Sequence, residues 1–197
     1  MAEAQAVLGQ MLLDAGEPRQ GFAWFNKAAA QGHLMALNMV GRCYDLGWGT
    51  PVDKVRAAEC FRVAAARGLD WGMYTYATAL ALGEGLAEDK AAAPAWFARS
   101  SAMGNAKAIN YVGSFHEDGW VVARDMARAA DFYRQAAEGG DFRGAFNHAR
   151  MLLDAGRVAE ARNWLARCRE TATPAFAQRA QDWLRASRWP ELEELLC

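Results

Sequence analysis

Val40-Gly41-Arg42-Cys43-Tyr44-Asp45-Leu46-Gly47-Trp48-Gly49, followed by Asp53 and then by Ala57, Phe61, Ala65 and Gly68, is one copy of a unit that returns along this chain. Gly32, Gly68, Gly104 and Gly140 stand 36 residues apart each time. Ala29, Ala65, Ser101 and Ala137 keep the same step, as do Phe25, Phe61, Phe97 and Tyr133. Asp53, Asp89 and Asp125 follow it too, and so do Gly41, Ala77, Gly113 and Ala149. A fixed period of this length signals a repeat architecture, in which each unit buries its apolar face only against its neighbours.

Each recurring class has a physical task. The Gly at 32, 68, 104 and 140 stops a helix where a left-handed residue is required. Asp53, Asp89 and Asp125 precede helical runs and read as N-caps. Ala57, Phe61 and Ala65 lie on one helical stripe, small residues permitting close approach and the aromatic filling the space between units. The pattern predicts helix A at 34–46, 70–82, 106–118 and 142–154, and helix B at 53–67, 89–103, 125–139 and 158–170. Pro94 implies that its helix B starts about one turn late. Gly47-Trp48-Gly49 and Gly83-Glu84-Gly85 form the intervening turn. Met11-Leu-Leu-Asp-Ala-Gly16 recurs as Met151-Leu-Leu-Asp-Ala-Gly156 in two units with shorter loops. Residues 173–197 read as a helical cap on a repeat domain spanning 1–172.

These motifs resemble the Sel-1-like repeat family, with the first and fifth units drifting toward the related tetratricopeptide form. The fold class expected is therefore all-α: an α-solenoid of five helix-turn-helix repeats plus a C-terminal helical cap. Val121 departs from the pattern where the second loop Gly belongs, and His116 stands where Tyr belongs. The resemblance implies a right-handed superhelix whose concave face is lined by helix A and serves as a protein-binding adapter.

Composition narrows the function. With 22 basic and 23 acidic residues the net charge is −1, and no basic block marks a nucleic-acid surface. No apolar run reaches the roughly 18 residues of a membrane span. The start, Met1-Ala-Glu-Ala-Gln, lacks the marks of a signal peptide, so a cytoplasmic location is expected. Arg outnumbers Lys 18 to 4 in an Ala- and Gly-rich chain, as in GC-rich bacterial genomes. Cys43, Cys60, Cys168 and Cys197 show no CxxC spacing, and the first three align with packing positions, which fits inert thiols in a reducing compartment.

The residues offer no catalytic constellation. The glycine turns lie between helices rather than after a strand, so they do not read as phosphate loops. His33, His116 and His148 have no His or Cys partner four residues away, so no metal or cofactor is expected. Some secreted relatives are linked to penicillin binding, yet no Ser-x-x-Lys occurs, and a penicillin-recognising hydrolase is a distant alternative to a non-enzyme.

By resemblance to tetratricopeptide grooves, partner-facing positions on helix A are Asn38, Arg42 and Asp45 in unit two and Tyr74 and Thr78 in unit three. Ala81 in unit three, Asn110, Ser114 and Glu117 in unit four and Phe146, Arg150 and Leu153 in unit five complete the row. Met35, Trp71, Lys107 and Arg143 stand one turn earlier. Core positions recur while these vary, so Trp71, Tyr74 and Phe146 read as aromatic anchors. Arg42, Lys107, Arg143 and Arg150, with Asn38 and Asn110, read as groups that hold a carboxylate or the backbone of an extended segment. A solvated helix face is the plainer alternative. Trp48 and Trp120, in the A–B loops, form either lids or a second contact surface. The wording of Gly41–Gly49 and Ala137–Gly144 also resembles a proteobacterial subgroup found beside iron-uptake genes, which implies an Fe(II)/2-oxoglutarate-dependent hydroxylase as partner. An immunity-type or regulatory inhibitor is the other function carried forward.

Overall fold

A computed structural model describes residues 1–196, and every regular element among them is helical. Contacts divide the chain into two compact units, Met1–Met103 and Gly104–Cys197. In the first, α1 (Ala2–Asp14) pairs with α2 (Pro18–Ala30), α3 (Leu34–Leu46) with α4 (Lys54–Ala66), and α5 (Asp70–Leu82) with α6 (Ala93–Ala102). In the second, α7 (Ala106–Asp118) pairs with α8 (Met126–Glu138), and α9 (Phe142–Asp154) with α10 (Val158–Thr171). There α11 (Pro174–Ala186) and a closing 3-10 helix, η1 (Pro190–Leu196), pack last. Each unit is thus a stack of α-solenoid hairpins. No helix among the described residues is long and apolar enough to cross a membrane.

The repeat rules act where the sequence places them. Helix A takes the four expected spans. Gly32, Gly68, Gly104 and Gly140 follow their helices with φ between 85° and 94°. The recurring aromatics Phe25, Phe61, Phe97 and Tyr133 are all buried. Gly41 and Gly113 leave room for them: a Cβ at Gly41 would come 2.5 Å from the Phe61 ring, and one at Gly113 2.8 Å from Tyr133. The cap closes the second core, where Leu184, Leu192 and Leu196 join Leu153 and Leu165.

The A–B loop is fixed by backbone bonds of constant register. The amides of Asp53, Asp89 and Asp125 donate to the carbonyls of Tyr44, Leu80 and His116 at 2.8–2.9 Å. Asp53 and Asp125 then cap their helices by accepting from the amides of Arg56 and Arg128. Asp89 corrects the expectation. Its carboxylate accepts from Ala91 and Ala92 within a separate turn, and α6 begins only at Ala93. Pro94 is the reason, because it lacks an N–H and fits a helix only in the first turn.

Val121 keeps the loop shape without glycine. Gly49 and Gly85 have φ 75°, and Val121 at the equivalent position has φ 59°. A β-branched residue there is strained by about 1–3 kcal/mol. Val121→Gly should release that strain, offset by about 0.4–1 kcal/mol of added unfolded-state freedom. The expected net is a melting temperature higher by about 2 °C or more. A calorimetric scan showing a lower value would contradict the strain assignment.

Candidate functional site

The helix A faces differ between the two units. In the first unit, three clefts lie along α1, α3 and α5. One of about 430 Å³ is lined by Val7, Met35 and Met39 among others. A second, about 460 Å³, shares Gln10 and Met39 with it and adds Asp14, Arg42 and Trp48. The third, about 170 Å³, shares Arg42 and adds Asp45, Lys54, Tyr74, Thr78 and Glu84.

Helix geometry positions these side chains. Arg42, one residue past the small Gly41, projects from α3 beside the loop that returns to α4. Its guanidinium lies 4.9 Å from the centre of the Trp48 ring, a cation–π arrangement that holds it in place. Trp48 is half-buried against the first core cluster, so it packs and lines the cleft at once. Lys54, first residue of α4, pairs with Asp45 at 2.5 Å and Glu84 at 3.5 Å. The hydrogen bond from Lys54 to Asp45 raises the ammonium's pKa above its ordinary value. Tyr74 stands edge-on to Phe97 and to Trp71, each with ring centres 6.0 Å apart.

Asn38 corrects the sequence reading. It is 1% exposed, and its Oδ1 accepts from the Thr75 hydroxyl at 2.8 Å. The amide ties α3 to α5 and does not reach the surface.

The second unit spends most of its predicted row internally. Asn110 is buried and accepts from Asn147 at 2.9 Å, the same α-to-α tie that Asn38 makes in the first unit. Phe146 is buried too, edge-on to Phe176 and Trp183 of α11. Neither presents the surface anchor expected of it. Lys107 lies 3.6 Å from the buried Asp141 carboxylate. Arg143 stacks over Phe142 and Phe176. Arg150 bonds Glu117 at 3.0 Å, also reaches Asn147, and sits over Trp183. Burial alone would raise the Glu117 pKa, yet the bonds from Arg150 and Tyr133 outweigh it and hold the carboxyl below its ordinary range. Burial, then the same Glu117 contact, pushes the Tyr133 phenol well up. Trp120 is exposed on its loop and edge-on to Phe115.

The remaining chemically able groups are quiet. Burial pushes Cys43 up to about 11, Cys168 up to about 12, and Cys60 upward as well, so none is a thiolate near neutrality. Cys197 lies outside the described residues. His33 caps α3, its Nδ1 accepting from the Ala36 amide while Nε2 meets Glu3 at 2.6 Å. His116 stacks on Phe132, and His148 stands against Trp164 with burial lowering its pKa. No group of three or more His, Cys, Asp or Glu suited to a metal occurs among the described residues.

Sequence reasoning missed the amide ties, the His33 cap and the Lys54 cluster. A signal for the ties exists in retrospect. Asn38 with Thr75, and Asn110 with Asn147, are polar pairs 37 residues apart, one more than the repeat.

The Sel1 repeat family matches this chain four times, at residues 2–33, 34–69, 72–105 and 106–141. Among solved structures, a Sel1 repeat protein from Oxalobacter formigenes aligns with TM-score 0.76 and 21% identity over 98% of this chain and 84% of that one. A protective antigen of uropathogenic Escherichia coli strains, with an SLR fold, aligns at 0.69 and 26% identity over 98% of this chain. The chain spans 44% of that antigen's length. An immunity protein from Pseudomonas aeruginosa aligns at 0.69 and 16% identity, covering 99% of this chain and 75% of its own.

Proposed function

The chain belongs to the Sel1 repeat family, and from that membership we propose that it is a non-catalytic adapter whose first unit holds a partner protein on the helix A face. Sel1 repeats generally mediate protein–protein interaction. The observation that carries the assignment to this face is the chain of three clefts meeting at Met39 and Arg42. Tyr74 and Trp48 supply rigid aromatic area there, the residue type on which interface energy concentrates. The second unit's equivalent side chains are already engaged with each other and with α11.

A photo-crosslinking amino acid tests the face directly. Placed at Met35 or Thr78, it should trap one and the same partner in cells. Placed at Arg62, on α4 and ion-paired with Glu59, it should trap none of it. Crosslinking from Arg62 alone would move the interface to helix B and refute the proposal.

An immunity-type inhibitor is the second reading, favoured by the fold shared with the Pseudomonas aeruginosa immunity protein. It is distinguished by the trapped partner: an enzyme or toxin whose activity falls on binding. The narrower candidate, an Fe(II)/2-oxoglutarate-dependent hydroxylase, rests on the wording of Gly41–Gly49 and Ala137–Gly144 alone. It is tested by mixing the two purified proteins.

A further inference from the structure

Arg42 stands apart from the other cations of the helix A rows in where it sits. It lines both the middle and the third cleft of the first unit. Trp48 fixes its guanidinium from one side at 4.9 Å. No carboxylate lies within ion-pairing distance of it among the described residues. The three acids that share its clefts are committed elsewhere, Glu84 to Lys54 at 3.5 Å. Asp14 accepts from Gln10 at 2.7 Å, and Asp45 pairs with Lys54 at 2.5 Å. In the second unit Lys107 and Arg150 each hold an acid of their own, and Arg143, which has none, lies over Phe142 and Phe176 instead of lining one of these clefts.

A pinned, partly desolvated guanidinium without an acid presents its N–H fork to a planar anion. The surroundings select which anion. Glu3, Asp14, Asp45 and Glu84 also line the three clefts, and this density of acids repels a polyanion such as nucleic acid while leaving room for one carboxylate. On one side of Arg42 the clefts turn apolar, floored by Val7, Met35 and Met39. Methionines at such a floor adapt to aliphatic side chains of differing shape.

We infer that the first unit's groove takes an extended segment of the partner protein that places an Asp or Glu carboxylate on Arg42 and an aliphatic side chain between Val7, Met35 and Met39. This inference rests on the adapter reading of that face and adds the chemistry of what is read. An extended segment suits it because the clefts run across successive helices, and side chains of a strand reach a floor at alternate positions.

The probe is a panel of fluorescein-labelled, end-blocked nine-residue peptides in a Gly/Ser background. Each carries one Leu and one Glu separated by one to four residues. Binding to the full chain is read by fluorescence anisotropy. One spacing should bind measurably, and changing its Glu to Gln, or its Leu to Ser, should weaken it by about tenfold or more. Arg42→Ala should cause the same loss and make the protein indifferent to the Glu-to-Gln change, while Arg42→Lys should retain part of the discrimination. Equal binding of Glu and Gln peptides, discrimination that survives Arg42→Ala, or no binding by any spacing would each overturn the inference. If crosslinking from Met35 and Thr78 still traps the partner in those cases, the adapter reading stands without it. If crosslinking fails too, both fall.

Discussion

Gly85→Ala is expected to cost about 3 kcal/mol, while Gly68→Ala costs about 1 kcal/mol, although both change one hydrogen to a methyl at a left-handed residue. The two glycines have φ of 75° and 94°, so the conformational penalty is alike. Their surroundings are not alike. Around Gly68 nothing lies within 4 Å of where a Cβ would stand. At Gly85 the Cβ would fall 1.8 Å from the carbonyl oxygen of Lys54 and 2.2 Å from its carbon. That neighbour is backbone at the start of α4, which cannot swing aside as a side chain does. Relief requires moving the loop or the helix end, and with it the Lys54 contacts to Asp45 and Glu84. Chemical denaturation of both variants checks the pair. Equal losses would mean the loop does not press on α4.

The same comparison shows why much of the fold was readable in advance. Glycine at a helix stop, Asp at a helix start and an aromatic opposite a small residue are local requirements, and each leaves its mark at the same step in three or four successive units. Helix A spans followed from them. Asp89 keeps the repeat step but not the capping task, because α6 starts about one turn late, as Pro94 implies. The interaction surface was harder to read for a different reason. Variation between units reads as freedom from packing duties, and Arg42 and Tyr74 do line a cleft. Asn38 and Asn110 vary for another cause: each bonds a partner in the next helix A, Thr75 in one case and Asn147 in the other. The trace they leave is faint, since Asn38 returns as Asn110 only every second unit, with a polar residue 37 positions on each time. Removing Tyr74, Asn110 and Arg150 together therefore disturbs an amide tie and the Glu117 ion pair as well.

Phe146→Ala is the change that separates an anchor from a strut. A surface anchor loses binding on truncation and leaves the melting curve nearly unmoved. The structure assigns Phe146 the opposite behaviour. It is 7% exposed, and its ring meets Phe176 at 5.7 Å and Trp183 at 5.6 Å, both edge-on. Both residues belong to α11, which with η1 shares a core with Leu152, Leu153 and Leu165. Truncation removes the buried ring and leaves a cavity under the cap helix, a loss of about 3–5 kcal/mol for a phenylalanine in a packed core. The loss should fall on the second unit. Amide hydrogen exchange should accelerate first in α11 and η1, which close that core, while α3 and α5 of the first unit keep their protection. Partner crosslinking from Met35 should survive at temperatures where the first unit remains folded. A Phe146→Ala protein with an unchanged denaturation midpoint and no crosslinked partner would return this residue to the interface, and would place the receiving face in the unit where every neighbouring cation already has an acid or a ring to hold.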